Sequence, residues 1–216
     1  MQTRAAQIAR DLLGIGAVFL RPDEPFTWAS GIRSPIYCDN RLTLSDPAVR
    51  SDVESGLAAI ITEYYPGCQV IMGTSTAGIA HAAIAAYLLG LPMGYVRAGA
   101  KDHGRANRIE GKLTAGDRVV VVEDLISTGG SVIEVVEALR AAGGDVLGIA
   151  SIFTYGLAEA DDRLAAADVT NHSLTDFDTL VSVAAEDGTI AAQSVGRLLR
   201  FRANPADDSW IEEVPQ

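Results

Sequence analysis

The feature that most constrains the fold is a run of four valines that leads into two carboxylates and a glycine-rich turn. Val119–Val122 are followed by Glu123 and Asp124, and then by the segment Leu125-Ile-Ser-Thr-Gly-Gly-Ser131. A short run of β-branched residues bounded by turn residues predicts a buried strand over Arg118 to Val122. In open α/β sheets the ligand lies where such a strand ends, so we expect chemistry at this point of the chain.

A helix is predicted directly after the turn. Val132, Val135, Val136 and Leu139 form one apolar stripe. Ser131 and Glu134 have the spacing of a capping box, and the glycines at 143 and 144 provide a stop, so we expect a helix over Ser131 to Ala142.

The turn has the composition of a phosphate site. Ser127, Thr128, Gly129, Gly130 and Ser131 offer hydroxyl and backbone N–H donors at the positive end of a helix, where an anion is favoured. Leu125 and Ile126 connect these donors to the carboxylates. An acidic loop that caps an ordinary helix is the alternative interpretation of the same residues.

Glu123 and Asp124 are poor phosphate ligands because like charges repel. They could instead accept hydrogen bonds from ribose hydroxyls, or Asp124 could order the water shell of a magnesium ion. Two other phosphate motifs are excluded: no Lys-Ser/Thr pair follows the glycines as a Walker loop requires, and the glycine spacing does not match a dinucleotide fingerprint.

Composition bounds the class of protein. With 216 residues, 48% of them hydrophobic, the chain can form one substantial core. A net charge of -11 argues against a nucleic-acid partner, because such binding depends on Lys and Arg. We find neither a signal-peptide pattern nor a stretch long enough to span a bilayer, so we expect a cytoplasmic protein without a membrane partner. Cys38 and Cys68 are interpreted as packing residues.

The order of predicted elements indicates a parallel sheet covered by helices on both faces. We expect an N-terminal helix and strand hood over residues 1–65, a core over 66–156 and a mostly helical extension of the same domain over 157–216. The expected elements of the core are strands at Gln69 to Met72, Gly94 to Arg97, Arg118 to Val122 and Val146 to Ile152, and helices at Ala77 to Leu89 and Ser131 to Ala142.

A second polar loop follows the preceding strand. Thr74, Ser75, Thr76, Ala77 and Gly78 lie between Met72-Gly73 and the next helix. Two phosphate-sized loops at one sheet edge favour a substrate with two phosphate groups, although Ser and Thr before a helix are also ordinary N-caps. His81, in the helix that follows, is interpreted as a surface or packing histidine.

A long basic segment separates two of the strands. From Arg97 to Arg118 there are six Lys or Arg against three Asp or Glu, in a strongly acidic chain. The segment has no apolar period, and loops of this length in compact domains usually have a function. We therefore expect residues 98–112 to form a mobile lid that stabilises a departing anion and excludes water, with a solvated loop as the alternative.

Together these segments resemble the type I phosphoribosyltransferases. Within them, Lys101-Asp-His-Gly104 and the segment Phe26-Thr-Trp-Ala-Ser-Gly31-Ile-Arg-Ser-Pro-Ile-Tyr-Cys-Asp-Asn-Arg41 resemble the orotate phosphoribosyltransferases. The resemblance extends from about Ala17 to Ile152. It implies a type I phosphoribosyltransferase-like fold, an enzyme of pyrimidine (UMP) biosynthesis that uses phosphoribosyl pyrophosphate and orotate, a magnesium cofactor, and a homodimer whose lid is shared across the interface.

The resemblance also implies roles for particular residues. Glu123 to Ser131 would bind phosphoribosyl pyrophosphate, and Thr74 to Gly78 would form its pyrophosphate loop. The catalytic contacts to pyrophosphate would come from Arg97, Lys101 and His103, and Ser127 would also contact orotate.

Three positions depart from the family pattern. Ala29 and Ala98 stand where many relatives carry a basic residue, and Arg33 is our candidate to compensate. Near Phe153 the chain lacks the Arg that many relatives place against the orotate carboxylate, for which Arg41 is the substitute candidate. A phosphoribosyltransferase for another base, or a regulator that senses phosphoribosyl pyrophosphate on the same fold, are the alternatives.

Overall fold

The computed structural model describes residues 3–27, 32–99 and 108–211. In this part of the chain a six-stranded, mostly parallel sheet lies between two layers of helices. The predicted α/β fold is therefore confirmed.

The main sheet has the strand order β10-β9-β8-β5-β6-β7, in which only the edge strand β7 is antiparallel to its neighbour. Its strands are β5 (Val70–Thr74), β6 (Met93–Val96), β7 (Ile109–Glu110), β8 (Arg118–Ile126), β9 (Asp145–Thr154) and β10 (Asn171–Asp176). The chain builds the sheet outward from β5 in one direction through β6 and then in the other through β8, so the order reverses between β5 and β8.

The valine run explains why β8 lies at the centre. All four side chains of 119–122 are fully buried. Val120 and Val122 pack into the core on one face, and Val119 and Val121 pack into the core on the other. Successive side chains of a strand point to opposite faces, so a continuous apolar run is what a strand covered on both faces requires.

Helices cover both faces of the sheet. One core joins it to α1, α2, α3, α6 and α7, and the other joins it to α4 and α5. Their bounds are α1 (Arg4–Gly14), α2 (Pro47–Tyr64), α3 (Gly78–Leu89), α4 (Gly130–Ala141), α5 (Ala158–Ala166), α6 (Phe177–Glu186) and α7 (Val195–Ala203). Helix α2 begins after Asp46, whose carboxylate accepts hydrogen bonds from two backbone N–H groups of the first turn, and it has proline at its first position.

Two short antiparallel pairs lie between α1 and α2. They are β1 (Val18–Leu20) with β4 (Ile36–Cys38), and β2 (Phe26–Thr27) with β3 (Arg33–Ser34). A 3-10 helix over Asn40–Ser45 joins them to α2. We use the name hood for residues 17–45 from here on. The two helices that flank the hood lie against the sheet face.

Three details differ from the sequence predictions. Strand β8 runs to Ile126, because it stays paired with β9 beyond the point where its pairing with β5 ends. The capping box is wrong: α4 begins at Gly130 after Gly129, without a side-chain cap, so Ser131 already lies inside the first turn. The last residues of the predicted lid form the edge strand β7, paired with Tyr95 and Val96.

Candidate active site

The reversal of strand order places two loops side by side at the carboxyl end of the sheet. The loop after β5 contains Thr74–Gly78, and the loop after β8 contains Ser127–Gly129. A crevice outside the carboxyl ends of strands at such a reversal is where open α/β sheets bind ligands. The structure therefore brings together the two hydroxyl-rich segments that the sequence predicts as phosphate loops.

The carboxylate pair belongs to the end of β8 rather than to the loop. The Glu123 side chain is almost fully buried, and its Oε1 accepts hydrogen bonds from Thr74 Oγ1 at 2.7 Å and from the Asp124 backbone N–H at 3.0 Å. Burial, together with the neighbouring Asp124, raises the pKa of the Glu123 carboxyl to about 8. Glu123 is therefore mostly protonated at neutral pH, while Asp124 is only half-buried.

The loop of Ser127–Gly129 ends at a helix start that is open to an anion. Gly129 has φ +78°, and no side chain caps the N-terminus of α4. The first N–H groups of a helix lack partners within the helix, so here they can donate to a bound phosphate. The loop surrounds a cavity of about 40 Å³. Its lining residues are Glu123, Leu125, Ile126, Ser127, Thr128, Gly129, Gly130, Ser131 and Val132.

The loop of Thr74–Gly78 is held against β8 by close packing. A Cβ on Gly78 would overlap Thr74 Oγ1 and lie 2.6 Å from the Val122 carbonyl oxygen, so only glycine fits. The peptide bond between Ser75 and Thr76 is cis, and the Ser75 N–H donates to the Val96 carbonyl at 3.2 Å. Thr76 is exposed, while Ser75 and Ala77 are half-buried.

The hood meets this crevice through Asn40, a residue that the sequence did not single out. Its side chain is fully buried, and Nδ2 donates to the Asp124 carbonyl at 2.7 Å. Its Oδ1 accepts from Cys38 Sγ at 3.2 Å. Burial, with the charges of Asp124 and Asp39, raises the pKa of the Cys38 thiol. The hood thus forms a wall of the site.

Aromatic side chains lie close to Cys38 on this side of the molecule. Tyr37 is half-exposed on β4, and its ring centroid lies 5.7 Å from that of Phe26. Tyr155, just after β9, is almost fully buried, and burial with nearby Cys38 and Tyr37 raises the pKa of its phenol. A flat heterocycle could stack on such a surface. The only sequence signal for it is the aromatic content of the segment from Phe26 to Arg41.

The predicted cationic residues lie in different situations. The guanidinium of Arg97 lies 3.1 Å from a Glu110 carboxylate oxygen, and its backbone N–H donates to the Arg108 carbonyl, so it sits at the stem of the predicted lid. Arg41 is exposed and forms a two-pronged ion pair with Asp39, and Arg33 is exposed on β3. Lys101, His103 and Ala29 lie outside the described residues.

His81 lies inside the protein. Its side chain is fully buried, and its Nδ1 is 2.6 Å from Glu54 Oε1, which joins α3 to α2. This geometry agrees with its interpretation as a packing histidine.

Comparison with known proteins decides the family. The phosphoribosyl transferase domain family matches residues 44–185. The chain is 56% identical over 206 residues to the orotate phosphoribosyltransferase of Bacillus subtilis (strain 168), with 95% of each chain covered. It is 58% identical over 205 residues to that of Bacillus cytotoxicus, with 95% of this chain and 98% of the relative covered.

The chain belongs to the orotate phosphoribosyltransferase family. Among solved structures, the orotate phosphoribosyltransferase from Aeropyrum pernix is similar with a TM-score of 0.74 and 32% identity, over 85% of this chain and 99% of that one. The UMP synthase of Leishmania donovani is similar with a TM-score of 0.78 and 26% identity over 92% of this chain, which spans 42% of that longer protein. The match to this orotate phosphoribosyltransferase fold confirms the fold predicted from the sequence.

Proposed function

We propose that this enzyme transfers the 5-phosphoribosyl group from phosphoribosyl pyrophosphate to orotate. The products are orotidine 5'-monophosphate and pyrophosphate, in the pathway of pyrimidine synthesis. The observation that carries the proposal is the identity of 56% to the Bacillus subtilis orotate phosphoribosyltransferase over nearly the whole of both chains.

The crevice suggests how phosphoribosyl pyrophosphate binds. The 5-phosphate would lie in the loop of Ser127–Ser131, where the uncapped start of α4 supplies N–H donors. The ribose hydroxyls would meet Asp124, with Glu123 as a protonated neighbour, and the pyrophosphate would lie along Thr74–Gly78. Both loops follow neighbouring strands at one edge of the sheet, and Thr74 bonds to Glu123, so the three parts of the substrate can be held at once.

In the reaction N1 of orotate attacks the anomeric carbon of the ribose. The new C–N bond forms as the C–O bond to pyrophosphate breaks, and the N1 proton leaves to solvent. Positive charge develops on the ribose and negative charge on the leaving group. Asp124 would stabilise the first, and Arg97, Lys101 and His103 would stabilise the second. This division of charge requires no covalent intermediate with the protein.

Magnesium is the cofactor that we propose. Among the residues that the structure describes, no group of three or more His, Cys, Asp or Glu side chains could hold a metal ion. A half-buried carboxylate such as Asp124 fits an ion that keeps several waters and is held mainly by substrate phosphates, which is the usual mode for magnesium. When bound, the ion would neutralise charge on the pyrophosphate.

We also propose that two copies of the chain form a homodimer that shares the lid. Helix α3 is apolar around almost its whole circumference, and on its outer side Tyr87 is 84% exposed and Leu88 is 50% exposed. A helix that is apolar on all sides is normally buried, so this face is suited to a partner surface.

The cytoplasm is our proposal for the location of the enzyme. No helix within the described ranges is long and apolar enough to cross a membrane. The substrates that we propose are small phosphorylated or acidic molecules, which fits an enzyme that works in the cell interior.

A base-competition assay tests the proposed activity. The purified protein is mixed with magnesium and phosphoribosyl pyrophosphate and offered orotate, uracil, adenine or hypoxanthine. We expect only orotate to be consumed, with one pyrophosphate released for each orotidine 5'-monophosphate formed. Consumption of a different base would replace orotate as the acceptor. Binding of phosphoribosyl pyrophosphate without any transfer would favour a regulator that senses this compound on the same fold.

A further inference from the structure

Helix α5 lies directly behind the loop that we assign to the 5-phosphate. A Cβ built on Gly129 would lie 3.7 Å from the backbone of Ala160, which is itself buried. One turn further along α5, Arg163 reaches the same loop, and its Nη1 donates a hydrogen bond to the Thr128 carbonyl at 3.2 Å. This contact could not be predicted from local sequence, because the two residues are 35 positions apart.

The carbonyl that Arg163 holds belongs to a peptide unit with a direct role at the phosphate site. The Thr128 carbonyl and the Gly129 N–H lie in one planar trans peptide, so they point in opposite directions. With the carbonyl turned outward to α5, the N–H is turned to the inner side of the loop. Glycine at 129, in the left-handed region with φ +78°, gives the backbone freedom to rotate this peptide the other way. A rotated peptide would present a carbonyl oxygen to the anion.

We propose that Arg163 is a positioning residue for the phosphate loop: by holding the Thr128 carbonyl outward, it keeps the Gly129 N–H directed at the 5-phosphate of the substrate. The inference rests on the proposed function, because that function places the 5-phosphate in this loop. Glu159 lies one turn before Arg163 on α5. Its carboxylate is 2.6 Å from Arg163 Nη2 and orients the guanidinium.

The chain offers a matched control. Arg140 on α4 also donates to backbone carbonyls at the end of α5, with Nη1 bonded to Ala167 at 2.5 Å and Nη2 to Asp168 at 2.8 Å. Among the residues that the structure describes, its guanidinium bonds to the end of α5 and not to the loop of Ser127–Gly130, so it shares the tie to α5 but not the positioning role. Arg163→Met and Arg140→Met both remove the guanidinium and keep most of the apolar stem.

The test is calorimetric binding of ribose 5-phosphate, which carries the 5-phosphate and needs no acceptor base. We expect Arg163→Met to weaken binding about tenfold, which corresponds to about 1.4 kcal/mol. Arg140→Met should bind within about twofold of the wild type. In the steady state, Arg163→Met should raise KM for phosphoribosyl pyrophosphate and leave KM for orotate nearly unchanged.

Two results would overturn the proposal. One is wild-type affinity for ribose 5-phosphate in Arg163→Met. The other is an equal loss of affinity in Arg140→Met, which would indicate a general effect of α5 packing. The binding measurement can fail independently of the proposed function. If the wild type binds ribose 5-phosphate but does not convert orotate, the activity is contradicted, and the comparison of Arg163→Met with Arg140→Met still decides the role of Arg163.

Discussion

Glu123 has a carboxyl group whose ionisation opposes folding. Its pKa is about 8 in the folded protein and near 4.5 in an unfolded chain. Below about 4.5 the carboxyl is protonated in both states. As the pH rises from 4.5 to 8, the unfolded chain ionises while the folded protein keeps the proton, so the contribution of this group to stability falls through that window and levels off above it.

Glu123→Gln should remove this pH dependence, because glutamine imitates the protonated acid and can still accept from Thr74. Relative to the wild type, the variant should gain stability between pH about 5 and pH about 9, by on the order of 3 kcal/mol, since one pKa unit corresponds to about 1.4 kcal/mol. Urea unfolding at both pH values measures the gain. Glu137→Gln, on the exposed side of α4, is the control. Parallel pH profiles for wild type and Glu123→Gln would contradict the assignment.

Gly78 is a second residue whose role is steric. An added methyl group would meet Thr74 Oγ1 and the Val122 carbonyl, both parts of the site wall. Overpacking of this kind costs about 1–3 kcal/mol, so we expect Gly78→Ala to unfold at lower urea and to raise KM for phosphoribosyl pyrophosphate. Gly196→Ala is the matched control, since Gly196 lies in α7 with nothing within 4 Å of the added Cβ. Equal stability of the two variants would refute the steric account.

At the residue scale, the sequence allowed prediction of the site where the contacts are local. The hydroxyls and glycines of both loops follow their strands directly, so their position at the sheet edge could be inferred. Asn40 could not be inferred, because its partner Asp124 is 84 positions away. The protonated state of Glu123 also depends on tertiary burial and was not predicted.

At the element scale, the strands were predicted where β-branched residues are buried on both faces, as in the valine run of β8. The ends of elements were less predictable, since β8 extends as far as its pairing with β9 rather than as far as its apolar run. The start of α4 was misplaced for a related reason. A Ser-x-x-Glu spacing does not reveal that Gly129 adopts a left-handed conformation at the N-cap position, so that the helix begins at Gly130.

Arg197 joins the C-terminal elements to the hood. Arg197 on α7 is largely buried, and its guanidinium bonds to Asp23 Oδ1 at 2.6 Å and to the Pro22 carbonyl at 2.6 Å. It also donates to the carbonyls of Trp210 and Ile211, at 3.2 and 3.1 Å. A turn of the hood and the last described helical turn are thus held by the same side chain.

Arg197→Met should therefore destabilise the protein by about 1–3 kcal/mol, because buried carbonyls lose charged donors. Limited proteolysis should also release the C-terminal segment faster than in the wild type. Arg10→Met is the comparison, since Arg10 forms ion pairs with Glu186 and Asp187 between α1 and α6 and makes no such contact to the hood. Equal rates of C-terminal cleavage in the two variants would argue against a role for Arg197 in holding the C-terminal segment to the hood.

At the scale of the whole molecule, the reversal of strand order is what creates the site, and local sequence does not encode it. The alternation of strands and helices indicated a parallel sheet, but not that β8 lies on the other side of β5 from β6. That order brings Thr74 to Glu123 and sets the two loops side by side. The periodicity of the sequence does not indicate this strand order, whereas the family resemblance implies the fold in which it occurs.

The proposal that a homodimer shares its lids predicts how mixtures of two inactive variants should behave. Lys101→Ala should lower turnover by about one to three orders of magnitude through the loss of one charge donor at the leaving group. Asp124→Asn should also be impaired, because it removes the carboxylate that we propose binds the ribose. If the lid of one subunit serves the crevice of its partner, a mixed dimer has one site that receives both defects and one that receives neither.

Unfolding and refolding the two variants together at equal amounts should therefore restore about a quarter of wild-type activity, since half of the dimers are mixed and each has one intact site. Each variant refolded alone is the control. If the lid instead serves its own subunit, every site in the mixture keeps one defect and no activity returns. Tyr87→Glu placed in both variants charges the outer face of α3, and it should abolish the recovery if that face is the interface. Recovery that survives Tyr87→Glu would move the interface elsewhere.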